Sequence, residues 1–116
     1  MTALHLAARW KSSVPVATLL LLAGADPNKI DGGQRSPLHS AALYNPQIIE
    51  TLVKHKAEVN LLDNDNKSPL FYAALNNHTD AVVALCKAGG DPRLGESPLT
   101  SFRVREDVKE IIKKYL

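Results

Sequence analysis

Cysteine and aromatic residues are scarce in this chain of 116 residues. It has one cysteine, Cys86, and aromatic residues make up only 5% of it. A lone cysteine forms no internal disulfide and no cysteine framework for zinc, so packing must hold the fold, and a reducing intracellular compartment, cytoplasmic or nuclear, is expected. Because the apolar residues are mostly Leu, Ala, Val and Ile, the composition favours closely packed helices over a β-sandwich.

Charge of one sign and long apolar runs are lacking too. The net charge is +2, and its excess lies in residues 97–116, whereas residues 1–96 are neutral. A nucleic-acid-binding surface normally carries a denser basic cluster, so no nucleic-acid partner is expected. The apolar run from Val14 to Leu22 follows Arg9 and Lys11 and imitates a signal peptide. It is too short to span a membrane, and no membrane partner is expected.

What the sequence does contain is internal repetition. A tetrapeptide of the form Ser/Thr-Pro/Ala-Leu-x begins at Thr2, Ser36, Ser68 and Ser97, and its leucines recur every 29 to 34 residues. An alanine pair lies three residues beyond the leucine in the first three copies. The apolar run that imitates a signal peptide also recurs in register, as Ile48-Ile49-Glu50-Thr51-Leu52-Val53 and Ala81-Val82-Val83-Ala84-Leu85-Cys86. That recurrence argues against a signal peptide.

Local physical chemistry predicts two helices in each unit. The Ser or Thr supplies a hydroxyl that caps a helix, and proline fits the first helical position. Leu4, Ala7 and Ala8 then share one face, on which small alanines allow close approach of a second helix. The apolar run forms that second helix, and glycine at positions 24 and 89 ends it in the left-handed conformation. Lys56 occupies the same position in the second unit, so its turn is expected to be strained.

Taken together, these marks resemble the ankyrin-repeat family, whose period is about 33 residues with a Thr-Pro-Leu-His-x-Ala motif. The resemblance implies an all-α repeat solenoid, each repeat a helix-turn-helix plus a β-hairpin loop, and implies that His5 and His39 bond the loop backbone between repeats. A single domain over residues 1–116 is expected. Its repeats are predicted as 1–30, 31–62 and 63–94, followed by a capping repeat, 95–116.

The loops and the cap carry more specific predictions. Lys29 to Arg35 and Leu61 to Lys67 are interpreted as hairpin loops, with Asn66 at positive φ. The fourth tetrapeptide predicts a further helix capped by Ser97, with Phe102 at a core position. An amphipathic helix from Asp107 to Leu116 is predicted to close the array.

Residues that might carry catalysis or bind metal have structural explanations. The histidines show no spacing typical of metal ligands. The cap serines are committed to helices, and no phosphate-binding loop is present. Cys86 aligns with Leu21 and Val53, which indicates a small core residue. We therefore expect no enzyme, no metal, no cofactor and no small-molecule substrate.

The surface offers the remaining functional signal. On each inner helix, the residue after the repeat's histidine position and the residue four further on share a side. In ankyrin proteins these rows and the hairpin tips line a concave face that binds protein partners. The resulting candidates are Leu6, Trp10, Ser40, Tyr44, Tyr72 and Asn76, flanked by Leu43 and Leu75, with Arg35, Asn64, Asp65 and Lys67 on the hairpins. An alternative is that the aromatic residues pack against the adjacent hairpin.

These observations predict a protein-binding module that acts as an adaptor or scaffold, because aromatic side chains are enriched at binding hot spots. Two alternatives stay open. The chain could be a regulatory subunit that inhibits a bound enzyme or transcription factor, or a structural segment of a longer ankyrin array. The partner is a protein of unknown identity, and a monomer is favoured.

Overall fold

The computed structural model describes residues 2–9 and 14–116, and within them the architecture is all-α with no strand. In chain order the elements are α1 (Ala3–Arg9), α2 (Val14–Leu22), α3 (Pro37–Tyr44), a 3₁₀ turn (Pro46–Ile48), α4 (Ile49–Lys54), α5 (Pro69–Leu75), α6 (Thr79–Lys87) and α7 (Glu106–Lys113). The helices pair as α1 with α2, α3 with α4 and α5 with α6. The predicted repeat solenoid is confirmed.

Side-chain caps begin the inner helices as predicted. The Ser36 hydroxyl accepts a hydrogen bond from the His39 amide at 3.4 Å, and the Ser68 hydroxyl accepts one from the Phe71 amide at 3.2 Å. Proline follows each serine at the first helical position, where its missing amide hydrogen is no loss. Thr2 accepts from the His5 amide in the same way, at 3.3 Å.

The outer helices end in left-handed residues. Gly24 and Gly89 have φ of 97° and 99°, and Lys56 adopts φ of 71° at the equivalent position. A side chain in this region costs about 1 kcal/mol or more relative to glycine. The predicted strain in the turn of the second unit is confirmed.

The core is a chain of small interfaces between neighbouring helices. Helix α3 packs between α1 and α5, and α4 contacts both α2 and α6. The alanine pairs lie at the inner-helix contacts, where side chains of one carbon let the helices approach closely. Those alanines are at most 5% exposed: Ala7, Ala8, Ala41, Ala42, Ala73 and Ala74.

Each predicted hairpin is a tight turn and lacks a strand pair. The Asp31 amide donates to the Arg35 carbonyl at 3.0 Å, and the Asp63 amide donates to the Lys67 carbonyl at the same distance. Asn66 has φ of 61°, as predicted, and Gln34 takes the equivalent place with φ of 62°.

Two polar ladders join successive repeats. The His5 Nε2 atom lies 2.8 Å from the Arg35 carbonyl oxygen, and the His39 Nε2 atom lies 2.9 Å from that of Lys67. Farther along the loops, the Asn28 amide group donates to the Lys56 carbonyl at 3.1 Å and accepts from the Glu58 amide at 2.7 Å.

Asn60 repeats that pair of bonds. Its side chain donates to the Gly89 carbonyl at 3.1 Å and accepts from the Asp91 amide at 2.8 Å. The histidine bonds implied by the family resemblance are therefore present, and a second ladder of asparagines runs beside them.

The capping region departs from the prediction. Residues 98–104 form turns, not a helix, and Phe102 is 95% exposed, so its predicted core position is wrong. The reason is local, because Thr100 and Ser101 bond nearby backbone groups and so compete with helix formation. The predicted closing helix is present as α7, which buries Val108 and Ile112, but it ends at Lys113 and not at Leu116.

Candidate partner-binding surface

The predicted surface residues divide by burial. Leu6 and Tyr44 are 48% and 44% exposed, whereas Ser40 and Tyr72 are each only 6% exposed. The prediction that Ser40 and Tyr72 present their side chains to a partner is therefore wrong. Trp10 lies outside the described residues.

Tyr72 is buried because it packs on two successive hairpins. Its hydroxyl donates to the Asp63 Oδ2 atom in its own hairpin. The Arg35 guanidinium of the preceding hairpin lies 3.4 Å from the Tyr72 hydroxyl and 5.5 Å from the centre of the ring. The alternative that an aromatic residue packs against the adjacent hairpin thus holds for Tyr72.

The Asp63 carboxylate accepts the hydrogen bonds that join these two hairpins. This role of Asp63 was not predicted from the sequence. Its side chain is 1% exposed and pairs with Arg35 at 3.5 Å. The other carboxylate oxygen accepts from the amides of Asp65 and Lys67 at 2.9 and 3.0 Å. Asp31 stands five residues before its cap serine, as Asp63 does, and bonds its own loop similarly. That recurrence in the sequence could have identified the position.

The electrostatics follow from this arrangement. Burial opposes the charge on Asp63, but the hydrogen bonds from Tyr72, Lys67 and Asp65 outweigh it and lower the pKa of the carboxyl group. Burial and the bond to Asp63 raise the pKa of Tyr72 to about 12. Burial also lowers the pKa of His39, although its bond to the Lys67 carbonyl opposes the shift. These groups therefore stabilise the loops and offer no reactive centre.

The carboxyl ends of the three inner helices bring the exposed candidates together. The Arg9 guanidinium lies 5.0 Å from the centre of the Tyr44 ring, which links α1 to α3. The Asn76 side chain donates to the Leu43 carbonyl at 3.2 Å and links α5 to α3. Leu43 and Leu75 are half-buried against the core. We call this group, Arg9, Leu43, Tyr44, Leu75 and Asn76, the helix-end patch.

The hairpin candidates form a second, polar group. The Asn64 amide donates to the Gly33 carbonyl at 2.9 Å, so neighbouring tips are tied together. Lys67 lies 5.5 Å from the centre of the Phe71 ring and 3.9 Å from Glu96. Asp65 is exposed at its tip. Because Arg35 and Lys67 are both held by aromatic rings and carboxylates, the hairpin tips present charges in fixed positions.

Three aliphatic side chains near the hairpins were not among the predicted candidates. Ile30, Leu62 and Leu94 recur at intervals of 32 residues and are 41%, 36% and 40% exposed. Their common interval of 32 residues is the feature of the sequence that could have identified them. Aliphatic residues beside polar tips extend the surface on which a protein could dock.

Few side chains of the described residues are placed for metal binding or catalysis. No group of three or more metal-ligating side chains occurs in residues 2–9 and 14–116. Cys86 is 7% exposed, and burial raises the pKa of its thiol to about 11, so it is packed as a core residue and is not a reactive nucleophile. Among the described helices, none is long and apolar enough to cross a membrane.

Comparison with known proteins defines the class. A family model described as three copies of ankyrin repeats matches residues 4–96. The chain belongs to the ankyrin-repeat family, whose solenoids are protein-interaction modules.

One curated relative is a fowlpox virus (strain NVSL) protein that carries the name ankyrin repeat protein FPV031. It is 40% identical over 62 residues, which cover 52% of this chain and 18% of the relative. The chain therefore matches less than a fifth of that protein's length.

Proposed function

We propose that this chain is a protein-binding module that docks a protein partner on its inner-helix side. The binding surface consists of Leu6 and the helix-end patch, bordered by Arg35, Asn64, Asp65 and Lys67 of the hairpins. Trp10 is retained as a candidate from its sequence position. Ser40 and Tyr72 support the surface from below and do not contact the partner.

The exposed Tyr44 ring carries this proposal. It is 44% exposed, and the Arg9 guanidinium lies over the ring at 5.0 Å from its centre, a contact that restricts the ring before a partner arrives. Tyrosine offers a large contact area at low entropic cost, and a preorganised side chain loses little freedom on binding. Leu43, Leu75 and Asn76 lie at the ends of the neighbouring inner helices, where Asn76 donates to the Leu43 carbonyl and the two leucines are half-buried against the core.

An adaptor or scaffold role fits this surface best. The polar groups of the Asp63 network and His39 are bonded to the loops that they stabilise, and they hold the neighbouring surface in a fixed shape for contact. We place the module among non-enzymatic, intracellular proteins, because its one thiol is packed in the core and is not engaged in a disulfide.

Matched tyrosine variants test the proposal. Tyr44→Ala should reduce capture of bound proteins from a cell extract at least about tenfold, as measured by quantitative mass spectrometry. Tyr115→Ala is the control, since Tyr115 is 42% exposed but lies after α7, away from the inner helices. Both variants should keep the unfolding midpoint within a small margin. Equal capture by Tyr44→Ala and the unaltered chain would show that the surface is wrongly assigned.

The regulatory alternative makes a different prediction for the same complex. If the chain inhibits its partner, adding it to the captured enzyme or transcription factor should lower that partner's activity or DNA binding. Tyr44→Ala should relieve the effect in proportion to the lost affinity. An adaptor would leave the partner's activity unchanged while still joining the complex.

A further inference from the structure

A groove runs between the outer helices α4 and α6. One half, a cavity of about 270 Å³, is lined by the carboxyl ends of both helices. The other half, of about 290 Å³, is lined by their amino ends and by the 3₁₀ turn before α4. Glu50 and Ala84 line both halves, so the two cavities form one groove, and because like ends meet in each half, the helices run in the same direction. None of the lining residues belongs to the proposed partner surface.

Opposite charges stand at the two ends of this groove. Glu50 and Asp80 lie in the first turns of α4 and α6, and Lys54 and Lys87 lie in the last turns. All four residues are exposed, and within the described part of the chain none of them takes part in an ion pair. The groove therefore has an acidic end and a basic end whose charges are not neutralised by neighbours.

Between the charged ends the floor of the groove is apolar. It is formed by the side chains of Ile49, Val53, Ala84 and Ala88. An extended peptide laid on these side chains would leave its own amide and carbonyl groups against a surface that cannot bond them. A helix bonds those groups internally and can place an apolar face in the groove. The floor therefore favours a helical ligand over an extended one.

The polarity of the groove also sets the direction of such a helix. Acidic residues in the first turn of a helix and basic residues in its last turn complement the helix dipole. A helix of this kind brings its acidic turn to Lys54 and Lys87 only when it runs antiparallel to α4 and α6. Its basic turn then lies beside Glu50 and Asp80. Helix α6 spans nine residues, about 13 Å, which corresponds to a ligand of two to three turns.

The repeat itself does not require the basic end. Lys54 and Lys87 each lie two residues before the left-handed residue that ends their helix, and the first unit has Leu22 at the equivalent position. Helix α2 therefore forms without this charge. The lysines are a property of the α4–α6 groove, which favours a role for them in recognition.

We propose that the groove between α4 and α6 binds a short amphipathic helix of a second protein, which runs antiparallel to both. Acidic side chains in the first turn of that helix pair with Lys54 and Lys87, and basic side chains in its last turn pair with Glu50 and Asp80. Its apolar face packs on the floor of the groove. Because the groove shares no residue with the proposed inner-helix surface, one chain can join two proteins.

A synthetic peptide tests the groove with a defined ligand. It has about 11 residues, or three turns, with glutamates in the first turn, a leucine face and lysines in the last turn. A side-chain bridge keeps it helical in solution, since so short a helix is otherwise marginal. Titration at low salt into isotope-labelled protein should give saturable NMR shifts confined to the 3₁₀ turn, α4 and α6. A nitroxide at its amino end should broaden the Lys87 amide more than the Asp80 amide.

Charge reversal supplies matched variants. Lys54→Glu combined with Lys87→Glu should weaken peptide binding about tenfold at low salt, and a peptide with lysines in place of its first-turn glutamates should recover most of that loss. Lys29→Glu combined with Lys114→Glu changes the net charge equally outside the groove and should weaken binding less than about twofold. All four lysines are exposed, so both proteins should keep the unfolding midpoint of the unaltered chain.

A third variant tests the apolar floor. Ala84→Gln lengthens the side chain at the centre of the groove and should abolish peptide binding. Ala84 is half-buried, so the longer side chain can extend toward solvent, and the unfolding midpoint checks that the fold is kept.

Several results would overturn the proposal. These are the absence of saturable binding at millimolar peptide, broadening that is greater at Asp80 than at Lys87, and an equal loss of binding when the two control lysines are reversed. Association of the free chain through the groove at rising concentration would also overturn it, because the occupant would then be a second copy. Shifts near Leu6 and Tyr44 in place of the groove would do the same. Failure of the groove leaves the Tyr44 test of the inner-helix surface unaffected.

Discussion

The junction between α3 and α5 and the junction between α5 and the cap are built differently. At the first junction, His39 bonds the Lys67 carbonyl. The buried Asp63 carboxylate accepts a hydrogen bond from Tyr72 and pairs with Arg35. At the second, Phe71 replaces the histidine and is 3% exposed. The loop at this second junction is shortened, and the Glu96 amide donates a hydrogen bond to the Asn66 carbonyl at 2.8 Å.

The two junctions show that neighbouring repeats can be joined either by a buried polar network or by close apolar packing. A buried polar network fixes one geometry because each of its groups must find its partner. An apolar ring beside a short loop needs only close fit, and Gly95 provides it, with φ of 65° and a position where a Cβ atom would lie 2.5 Å from the Asn66 carbonyl oxygen. The second junction also has an ion pair, Lys67 with Glu96, but both side chains are partly exposed, whereas the Asp63 carboxylate is buried. The first junction should therefore respond more strongly to charge and pH, and the second to steric change.

The largest effect is expected at the polar junction. Asp63→Asn keeps an oxygen for the loop amides but removes the charge that holds Tyr72 and Arg35, and it should lower the free energy of unfolding by about 2–3 kcal/mol. Arg35 is partly exposed, so most of this loss comes from the buried hydrogen bonds. Urea denaturation measures the change.

The matched control is Asp31→Asn in the preceding hairpin. Asp31 accepts from the Gly33 and Arg35 amides, and asparagine can accept those bonds as well. The loss should stay within about 0.5 kcal/mol. Similar losses at Asp31 and Asp63 would mean that the Tyr72 network contributes nothing beyond the turn.

A slightly smaller loss is expected at the steric junction. Gly95→Ala places a methyl group against the Asn66 carbonyl and forces alanine into positive φ, so unfolding should become easier by about 1–2 kcal/mol. Gly32→Ala serves as the comparison, since nothing lies within 4 Å of its Cβ position. A neutral Gly95→Ala would indicate that the cap loop shifts without cost.

The pH response should distinguish the junctions further. Because the pKa of His39 is lower in the folded state than its ordinary 6.5, the unfolded chain takes up the proton first. The stability that neutral His39 contributes is therefore fully present above about pH 6.5 and declines as the pH falls below it. Thermal midpoints from pH 8 to pH 5 would show the decline.

His39→Phe copies the solution found at Phe71 and isolates this contribution. The variant should be less stable at neutral pH because the bond to the Lys67 carbonyl is lost, but its midpoint should change less between pH 8 and pH 5. If the two profiles run parallel, other groups account for the pH response.

The smallest effect concerns local opening near the cap. Cys86 is 7% exposed with a pKa of about 11, so thiol reagents should modify it slowly in the folded protein at pH 8. Gly95→Ala should speed the reaction several-fold by loosening the last junction. Asp31→Asn, in the first hairpin of the preceding repeat, should leave the rate unchanged.

Much of the fold was predictable because its signals are local and recur. Ser36, Pro37 and the alanine pair specify a helix start and a close contact within a few residues, and the repeated period places each helix against the next. Ser97 begins the same motif, yet Thr100 and Ser101 turn the chain instead. Their side-chain bonds to the backbone compete with the helix, and the tetrapeptide alone gives no measure of that competition.

The candidate site was predictable in part for a related reason. Helical spacing predicts that Leu6, Ser40, Tyr44 and Tyr72 face the same side of their helices, and of these Leu6 and Tyr44 are exposed in the structure. Tyr72 has the same spacing but is buried, since Arg35 and Asp63 come from two hairpins that lie 37 and 9 residues away along the chain. Spacing within one helix carries no information about such contacts.

The histidine bonds also bear on how a chain of this kind changes in length during evolution. Each bond ends on a main-chain carbonyl, that of Arg35 in one repeat and that of Lys67 in the next. A main-chain acceptor is present whatever residue supplies it, so a unit gained or lost by recombination would find its neighbour's bonding group already in place. Phe71 stands where the first two repeats have histidine, and because its side chain forms no such bond, that junction depends on packing that is specific to its neighbours.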